Sequence, residues 1–317
     1  MSVPKAITFD VFGTIIDWEG EIQDFFKKFM EKKGITGVDP KTVQQKWEEL
    51  QFDYIQEKYR PYRQVLRDTL GITCKEFGFD FTEEDAEEFS QSMAKWKAFP
   101  DSVEAIKELR KYTKVVYLTN TDNDTIKAVM ENTCIEADDV VTAEMAGCYK
   151  PNTHGFDLSR ERLGLTVDEM MHAGFGFKYD VMPGNKLGYR TIWVNRQGII
   201  RPGDDQEDIL CGDLKTLALI IKGMYMDDMA AAKDELEKAI AGTDLEIIDY
   251  IWYGGEASYE NAEMVMSQPK LKEADVIFAF GGGKALDTCK YSSCTSKKPD
   301  SLSPQLQAPV PQHLQRL

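Results

Sequence analysis

The chain has 317 residues, enough for two or three domains with a sizeable buried core. Its 54 acidic and 38 basic side chains give a formal charge of −16, which argues against a nucleic-acid or anionic-membrane partner because such surfaces need clustered lysine and arginine. Six scattered cysteines without a CxxC pair, no leader and no long apolar run predict a reduced, cytoplasmic protein. With 3 histidines in the chain, a histidine-rich metal site is not expected.

The first predicted strand and the turn after it create a candidate reactive carboxylate. Residues 6–9 read as a buried strand that runs into Asp10 and then into a Phe-Gly-Thr turn. Open α/β sheets bind their ligands at the carboxyl ends of their strands. Gly13 allows a sharp bend that brings backbone N–H groups close to a ligand on Asp10, and Thr14 adds a hydroxyl. From this stretch alone, an ordinary aspartate after a core strand explains the residues equally well.

Residues 15–97 have the apolar spacing of helices and interrupt the α/β pattern. An apolar stripe between residues 25 and 30 predicts a helix that stops at Gly34. Further helices are predicted at 43–54, 61–77 and 83–96, the last of them capped by Thr82. A helical block inserted directly after the first strand predicts a cap over the strand tips.

From residue 98 to residue 222, strands alternate with helices. The predicted strands are residues 114–118, 139–142, 170–174, 191–195 and 209–211. This alternation predicts the α/β class and a doubly wound, mostly parallel sheet. Residues 1–14 and 98–222 would form its core, and residues 15–97 its cap.

The C-terminal part has a different pattern. Residues 226–241 and 258–267 read as helices, and residues 245–253 and 274–280 read as strands, the second closed by Gly281, Gly282 and Gly283. Residues 223–290 are therefore predicted to form a C-terminal α/β extension. Residues 291–317 are rich in Ser, Pro, Gln and Lys, which predicts a disordered tail.

Polar side chains follow four predicted strands and would meet at one edge of the sheet. They are Asp10, Thr119 with Asn120, Lys150 and Asp180. A nucleophilic carboxylate needs a neighbouring cation to stay ionised, and Lys150 can supply that charge to Asp10. The Thr14, Thr119 and Asn120 side chains can orient the nucleophile or donate to a leaving group. Asp180 can position a water or act as the second carboxylate, and the alternative for Lys150 is a solvated loop lysine.

Several short stretches match one known family in order and spacing. They are Asp10-Val11-Phe12-Gly13-Thr14, Pro100-Asp101-Ser102, Leu118-Thr119-Asn120, Tyr149-Lys150-Pro151, and Tyr179-Asp180 with residues 187–196. With them, residues 1–222 resemble the haloacid dehalogenase (HAD) superfamily and, within it, the 2-haloacid dehalogenase (type II) branch. The resemblance implies a HAD-like Rossmannoid core with an inserted cap. It also implies that Asp10 attacks carbon, that halide leaves, and that water hydrolyses the resulting ester.

Phosphatases of the same superfamily are the rival interpretation. They carry a second aspartate two positions after the nucleophile, where this chain has Phe12, and usually a carboxylate for Mg²⁺ where it has Phe175. Without that ligand a hard octahedral cation is difficult to hold. These two phenylalanines therefore favour carbon chemistry with no metal and no cofactor.

The expected site for the substrate carboxylate departs from the dehalogenase pattern. In that branch a cap arginine follows a tryptophan, and the corresponding pair here is Trp47-Glu48. An acid at this place repels a carboxylate, so Arg60 and Arg63 are the candidates to replace the missing guanidinium.

Aromatic residues replace further polar residues of the pattern. Phe175 and Phe177 stand in place of Ser and Asn before the last aspartate, and Phe156 replaces a tyrosine after the lysine. A more apolar pocket is predicted, walled by Phe12, Trp47 and Phe175, although buried aromatic residues are more often core.

Residues 231–290 resemble the N-terminal part of iron-containing alcohol and glycerol dehydrogenases, in Trp252–Glu256 and Phe280–Asp287. The resemblance implies that Gly281, Gly282 and Gly283 approach an NAD pyrophosphate. The polar tail replaces the metal-binding domain of that family, so dehydrogenase activity is not predicted. A partial dinucleotide fold remains, with a fusion remnant or a nucleotide- or partner-binding module as alternatives.

The predicted function is metal-independent hydrolysis of a small 2-haloacid, fluorinated acids included, with water as the second substrate. A Mg²⁺-dependent phosphatase and a catalytically weak protein with a binding module at its C-terminal end are the alternatives. No nucleic-acid or membrane partner is predicted, and a homodimer is left open.

Overall fold

A computed structural model describes residues 2–253, 257–280, 283–296 and 300–303. The described residues divide into two compact units, one from Pro4 to Leu219 and one formed by the residues before Pro4 and from Ile220 onward. Within the described part of the chain, no helix is long and apolar enough to cross a membrane.

The first unit is built on a six-stranded parallel sheet. Its strands are β1 (Ala6–Phe9), β2 (Lys114–Thr119), β3 (Asp139–Thr142), β4 (Met170–Gly174), β5 (Arg190–Val194) and β6 (Ile209–Cys211). Their order in the sheet is β3-β2-β1-β4-β5-β6, and every neighbouring pair is parallel. The predicted doubly wound parallel sheet is therefore confirmed.

The central strand β1 places Asp10, the residue that follows it, in the middle of the sheet. All four of its residues are buried, as expected for a parallel strand covered on both faces. Phe9 lies opposite Tyr117 of β2 and Ala173 of β4, and the N–H of Asp10 donates to the carbonyl of Ala173 at 2.8 Å. The strand order reverses around β1, which is where ligands of such sheets bind.

Four helices lie between β1 and β2. They are Trp18–Lys33, Pro40–Glu57, Tyr62–Phe77 and Glu83–Ser92, followed by a short 3₁₀ turn at Met93–Lys95. Gly34 ends the first of them in the left-handed conformation, and Thr82 forms a capping box with Asp85 at the start of the fourth, so both predicted helix boundaries are confirmed.

Two contacts connect this helical block to the strand ends. The carboxylate of Asp122, after β2, accepts the backbone N–H groups of Tyr62 and Arg63 at 2.7 and 3.0 Å. The hydroxyl of Tyr149 donates to the carbonyl of Arg60 at 2.6 Å. The start of the third helix is therefore fixed beside the loops that carry the predicted reactive residues.

The remaining helices of the sheet unit connect its strands. They are Ser102–Leu109, Asn123–Thr133, Ala143–Ala146, His154–Leu163 and Met182–Lys186, with a 3₁₀ turn at Val167–Glu169 and a π-helical turn at Phe177–Val181. A long helix, Leu214–Ile240, begins after β6 and continues past Leu219, the last residue of the first unit. The sequence pattern predicts a helix that begins at residue 226, whereas the structure has one continuous helix from Leu214. It runs through Gly223, because one glycine costs a helix only about 1 kcal/mol.

The second unit contains a βαβ arrangement. Strands β7 (Ile277–Phe280) and β8 (Asp300–Ser303) pair in parallel, and the helix Gly283–Ser296 connects them. Tyr259–Met266 is a further helix, and Pro269–Lys272 a 3₁₀ turn. The predicted strand at 245–253 is wrong, since those residues have no strand partner in the described part of the chain.

The disordered tail predicted from residue 291 does not begin there. Residues 291–296 continue the helix, where Ser292 and Ser293 are buried because small side chains allow close packing, and residues 300–303 form β8. Residues 304–317 lie outside the described residues, so the prediction for them stays a prediction.

Candidate active site

Asp10 follows the central strand and lies at the buried end of the sheet, with 5 % of its surface exposed. Thr14, four residues later, donates its hydroxyl to Oδ2 of Asp10 at 2.8 Å. The backbone N–H of Phe175, after β4, donates to the same Thr14 hydroxyl at 2.8 Å. The neighbouring strand thus fixes the hydroxyl that orients the carboxylate.

Gly13 makes this turn possible in two ways. Its φ of 100° lies in the region that only glycine adopts easily. A Cβ atom at this position would also lie 2.3 Å from Cε1 of Phe175, whose ring covers the turn. A side chain at Gly13 would therefore strain the backbone and displace the Phe175 ring.

Lys150 bridges the two predicted carboxylates. Its Nζ lies 2.9 Å from Oδ1 of Asp10 and 2.6 Å from Oδ1 of Asp180, and its side chain is buried. Asn120, at the end of β2, binds the backbone of Lys150 twice: Oδ1 accepts the Lys150 N–H at 2.7 Å, and Nδ2 donates to the Lys150 carbonyl at 3.2 Å. Asn120 therefore acts on the position of Lys150 and makes no direct contact with Asp10.

Asp180 is delivered by the π-helical turn after β4. Its Oδ2 accepts the N–H of Gly176 at 3.2 Å, and its Oδ1 lies 3.1 Å from Nε2 of His172. Gly174 gives the carboxylate its room, because a Cβ there would lie 2.3 Å from Oδ2 of Asp180. The four predicted strand ends therefore do meet, and Asp10, Lys150 and Asp180 form one hydrogen-bonded cluster.

The cluster holds one ammonium between two carboxylates. Burial raises the pKa of Asp10 to about 6, with Lys150 opposing the rise and Asp180 adding to it. For Asp180, burial alone would raise the pKa, but Lys150 and His172 outweigh it and hold that pKa below its usual value. For Lys150, burial would lower the pKa, but the two carboxylates raise it above its usual value. On acidification the proton therefore goes to Asp10.

The residues predicted to bind substrate are only partly near this cluster. Thr119 ends β2 beside it and is buried, and its hydroxyl has no hydrogen-bond partner among the described residues. Phe12 packs edge-on against Trp96 at 5.9 Å, and Phe175 packs against Trp18 at 5.8 Å.

Trp47 lies in the core of the helical block. It is fully buried, its indole N–H donates to the hydroxyl of Thr69 at 2.9 Å, and its ring packs on Phe89 at 5.6 Å. These contacts favour the core alternative over a pocket wall.

The structure does not bring Arg60 or Arg63 to the cluster. The Arg60 guanidinium pairs with Glu57 at 2.8 Å and stacks 4.1 Å from the centre of the Tyr54 ring. Arg63 is exposed, and its backbone N–H binds Asp122. The turn before the third helix directs Arg60 back to the second, so its partners do not support a role in replacing the missing guanidinium, and the roles of Arg60 and Arg63 stay a prediction. Burial raises the pKa of Glu48 to about 7, so that side chain takes up a proton near neutral pH.

His172 belongs to the site but escaped the sequence analysis. It lies inside the strand predicted at 170–174, and the sequence analysis assigned it no role. An ionisable side chain within an otherwise apolar strand, on the same segment as Asp180, was the available signal.

The predicted NAD-binding glycines give no second site that can be described. Gly281 and Gly282 lie outside the described residues, and Gly283 begins the helix Gly283–Ser296. The first unit also contains a cavity of about 220 Å³. Its lining includes Gly13, Asp17, Phe99, Phe175 and Arg196. Asp10, Lys150 and Asp180 do not line it.

A parallel sheet with a lysine-bridged pair of aspartates at its switch point defines a class of hydrolase. A model of the family described as haloacid dehalogenase-like hydrolase matches residues 4–188, and the chain belongs to that family. The predictions of a hydrolase and of the haloacid dehalogenase superfamily are thereby confirmed.

Two curated relatives are similar to this chain. Haloacetate dehalogenase H-2 of Moraxella sp. (strain B) is 25% identical over 202 residues, which cover 61% of this chain and 87% of the relative. Glyceraldehyde 3-phosphate phosphatase of Methanocaldococcus jannaschii is 30% identical over 92 residues, which cover 28% of this chain and 40% of the relative.

Solved structures share the fold. A defluorinating L-2-haloacid dehalogenase matches with a TM-score of 0.61 at 20% identity, covering 70% of this chain and 99% of its own. The L-2-haloacid dehalogenase from Xanthobacter autotrophicus matches with a TM-score of 0.61 at 21% identity, with the same coverage of 70% and 99%. The resemblance of the C-terminal segment to a dehydrogenase fragment stays a prediction.

Proposed function

We propose that this protein hydrolyses the carbon–halogen bond of small 2-haloacids, fluorinated acids included, through an ester on Asp10 and without a metal ion. The observation that carries the proposal is the contact of the Lys150 ammonium with both Asp10 and Asp180. The haloacetate dehalogenase similar to this chain over 87% of its own length supports the substrate class.

The first half of the reaction needs only Asp10 and the groups that hold it. A carboxylate oxygen of Asp10 attacks the carbon that bears the halogen, the carbon–halogen bond breaks, and halide leaves with the electron pair. Lys150 and Thr14 keep the carboxylate ionised and aimed. We assign the hydroxyl of Thr119, which has no hydrogen-bond partner among the described residues, as a donor to the carboxylate of the substrate.

In the second half, water attacks the side-chain carbonyl carbon of the Asp10 ester. One proton of the water passes to the Asp180 carboxylate, and the bond between the carbonyl carbon and the substrate oxygen breaks with its electron pair on that oxygen. The substrate oxygen takes up the proton that Asp180 received, which restores the Asp180 carboxylate, and the hydroxy acid leaves. The second proton of the water is released as Asp10 ionises again.

The site fits the magnesium-dependent phosphatase alternative poorly. The Lys150 ammonium already contacts both carboxylates that a cation would need, and a phenylalanine stands at 175 in place of a further oxygen ligand. Phe12 occupies the place of the second aspartate of that class and packs against Trp96.

An activity assay with and without chelator tests the proposal. We expect 2-chloro- or 2-fluoro-acids to release halide at the same rate with and without EDTA, and a phosphate monoester with Mg²⁺ to release no phosphate. Magnesium-dependent phosphate release without halide release would contradict the proposal.

The rate of halide release is expected to depend on the ionisation of Asp10. Because only the carboxylate attacks carbon, kcat/KM should fall tenfold per pH unit below the pKa of about 6 and level off above it. A pH profile of kcat/KM between pH 4.5 and 8 measures this. An acid limb centred near pH 4, the usual pKa of an aspartate, would contradict the prediction, because it would show that burial does not raise the pKa of Asp10.

Gly174→Ala is expected to reduce turnover by about 10²-fold, because the added methyl group overlaps Oδ2 of Asp180 and must move that carboxylate. Gly212→Ala is the matched control, since no atom lies within 4 Å of a Cβ placed there. Steady-state kcat and the thermal midpoint of both variants check the prediction. Equal kcat in the two variants would contradict it.

A further inference from the structure

His172 lies within the core of the sheet, next to the proposed water-binding carboxylate. It pairs in register with Thr8 on β1, and its side chain is fully buried. Its Nε2 lies 3.1 Å from Oδ1 of Asp180, and its Nδ1 lies 2.8 Å from the hydroxyl of Thr8. No step of the mechanism above uses this imidazole.

The hydrogen bonds determine where the proton of the imidazole lies. An ionised carboxylate can only accept, so Nε2 of His172 carries the hydrogen and donates it to Asp180. Nδ1 then accepts the hydrogen of the Thr8 hydroxyl, whose contact with Nδ1 at 2.8 Å is shorter than its alternative contact with the Met171 carbonyl at 3.3 Å. Burial lowers the pKa of His172, which agrees with a neutral ring between these two partners.

The second half of the reaction gives this contact its importance. Once Asp10 is an ester it has lost its negative charge, and the Lys150 ammonium is left with Asp180 as its only carboxylate partner in the cluster. Asp180 reaches the site on a π-helical turn, whereas His172 is part of a strand paired on both sides. The other donor to Asp180, the N–H of Gly176, precedes the same turn, so without His172 the carboxylate could follow the lysine together with that turn. A carboxylate also held from the strand keeps its direction.

We propose that His172 is a positioning residue for Asp180, holding that carboxylate ionised and aimed at the water that hydrolyses the Asp10 ester. This inference rests on the proposed function. It predicts a defect limited to one step: without the imidazole N–H, the ester forms at the normal rate and is hydrolysed slowly.

Two variants separate this role from simple core packing. The rings of Phe156 and His172 pack with their centres 4.6 Å apart. In His172→Leu the leucine fills much of the imidazole volume beside Phe156 but has no N–H to donate. His172→Gln keeps an N–H donor at similar reach. We expect His172→Leu to give a full burst of about one halide per active site, followed by steady-state turnover lowered by about 10²-fold. His172→Gln should restore most of that turnover.

Rapid-quench kinetics and intact-mass analysis are the measurements. An ester adduct that accumulates in His172→Leu and not in the wild type supports the inference. A burst rate lowered as much as the steady state, or equal steady-state rates for Leu and Gln, would overturn it. A wild type that releases no halide would instead refute the proposed function.

Nuclear magnetic resonance of ¹⁵N-histidine-labelled wild type gives a readout that needs no substrate. We expect the His172 ring to be neutral, with the hydrogen on Nε2, from pH 5.5 to pH 8. A hydrogen on Nδ1, or a ring that titrates in this range, would overturn the inference whatever the enzyme hydrolyses.

Discussion

Asp10→Asn is expected to lower kcat for halide release by about 10⁴-fold or more, because an amide cannot supply the attacking carboxylate oxygen. The substitution preserves the shape of the side chain, but its single amide oxygen can accept from only one of Thr14 and Lys150, which bind different oxygens of Asp10. Asp10→Ala should be equally inactive. Asp124→Asn, at an exposed position early in the helix Asn123–Thr133, makes the same chemical change away from the site and should leave kcat unchanged.

The same variant should be more stable than the wild type at neutral pH. A carboxyl whose pKa is raised by folding binds more protons in the native state, so the wild type loses stability as pH rises from about 4 to about 6. Above pH 6 this loss is complete and is on the order of 3 kcal/mol. Asn has no proton to lose, so the thermal midpoint of Asp10→Asn should exceed that of the wild type at pH 7.5, with the difference shrinking at pH 4.5. A lower midpoint at pH 7.5 would show that the charge of Asp10 stabilises the fold.

Lys150→Met is expected to reduce kcat/KM by about 10³-fold or more at pH 7.5 and to destabilise the protein. Removing one partner of a buried ion pair costs about 3–5 kcal/mol, and here it leaves two carboxylates facing each other. One of them must take up a proton. Since Asp10 already has the higher pKa, it becomes the protonated acid at neutral pH and stops attacking carbon.

A pH profile separates this effect from a general loss of structure. The acid limb of kcat/KM in Lys150→Met should move upward from pH 6, so that activity partly recovers in alkaline buffer. Lys114→Met is the control, because Lys114 is the exposed first residue of β2. An acid limb at the wild-type position in Lys150→Met would contradict the pairing of this lysine with Asp10.

The grouping of the site residues could be predicted from the sequence, because every parallel sheet places the carboxyl ends of its strands at the same edge. Residues that follow parallel strands share one edge, so Asp10, Asn120, Lys150 and Asp180 could be grouped before any coordinates existed. Their individual partners could not. Asn120 holds the backbone of Lys150, a contact that depends on how two loops approach each other.

Side chains inside elements and in helix-connecting turns were harder to place. His172 looked like part of an apolar strand because alternation along a strand does not reveal what lies across it on the neighbouring one, here Thr8. The backbones of Arg60 and Arg63 contact the loops beside the site, but the direction of the Arg60 side chain depends on local partners such as Glu57. The helix Gly283–Ser296 buries small polar residues such as Ser292 and Ser293, which composition alone reads as solvent-exposed.

A single turnover in ¹⁸O water, with enzyme in excess over a 2-haloacid, tests the ester on Asp10 most directly. Hydrolysis of the ester at its carbonyl carbon places the label in the carboxylate of Asp10, and the first hydroxy acid released carries unlabelled oxygen from the protein. Mass spectrometry of the peptide that contains Asp10, and of the product, reads both positions. Label in the first product with none in Asp10 would mean that water displaces the halide directly, which would contradict the account.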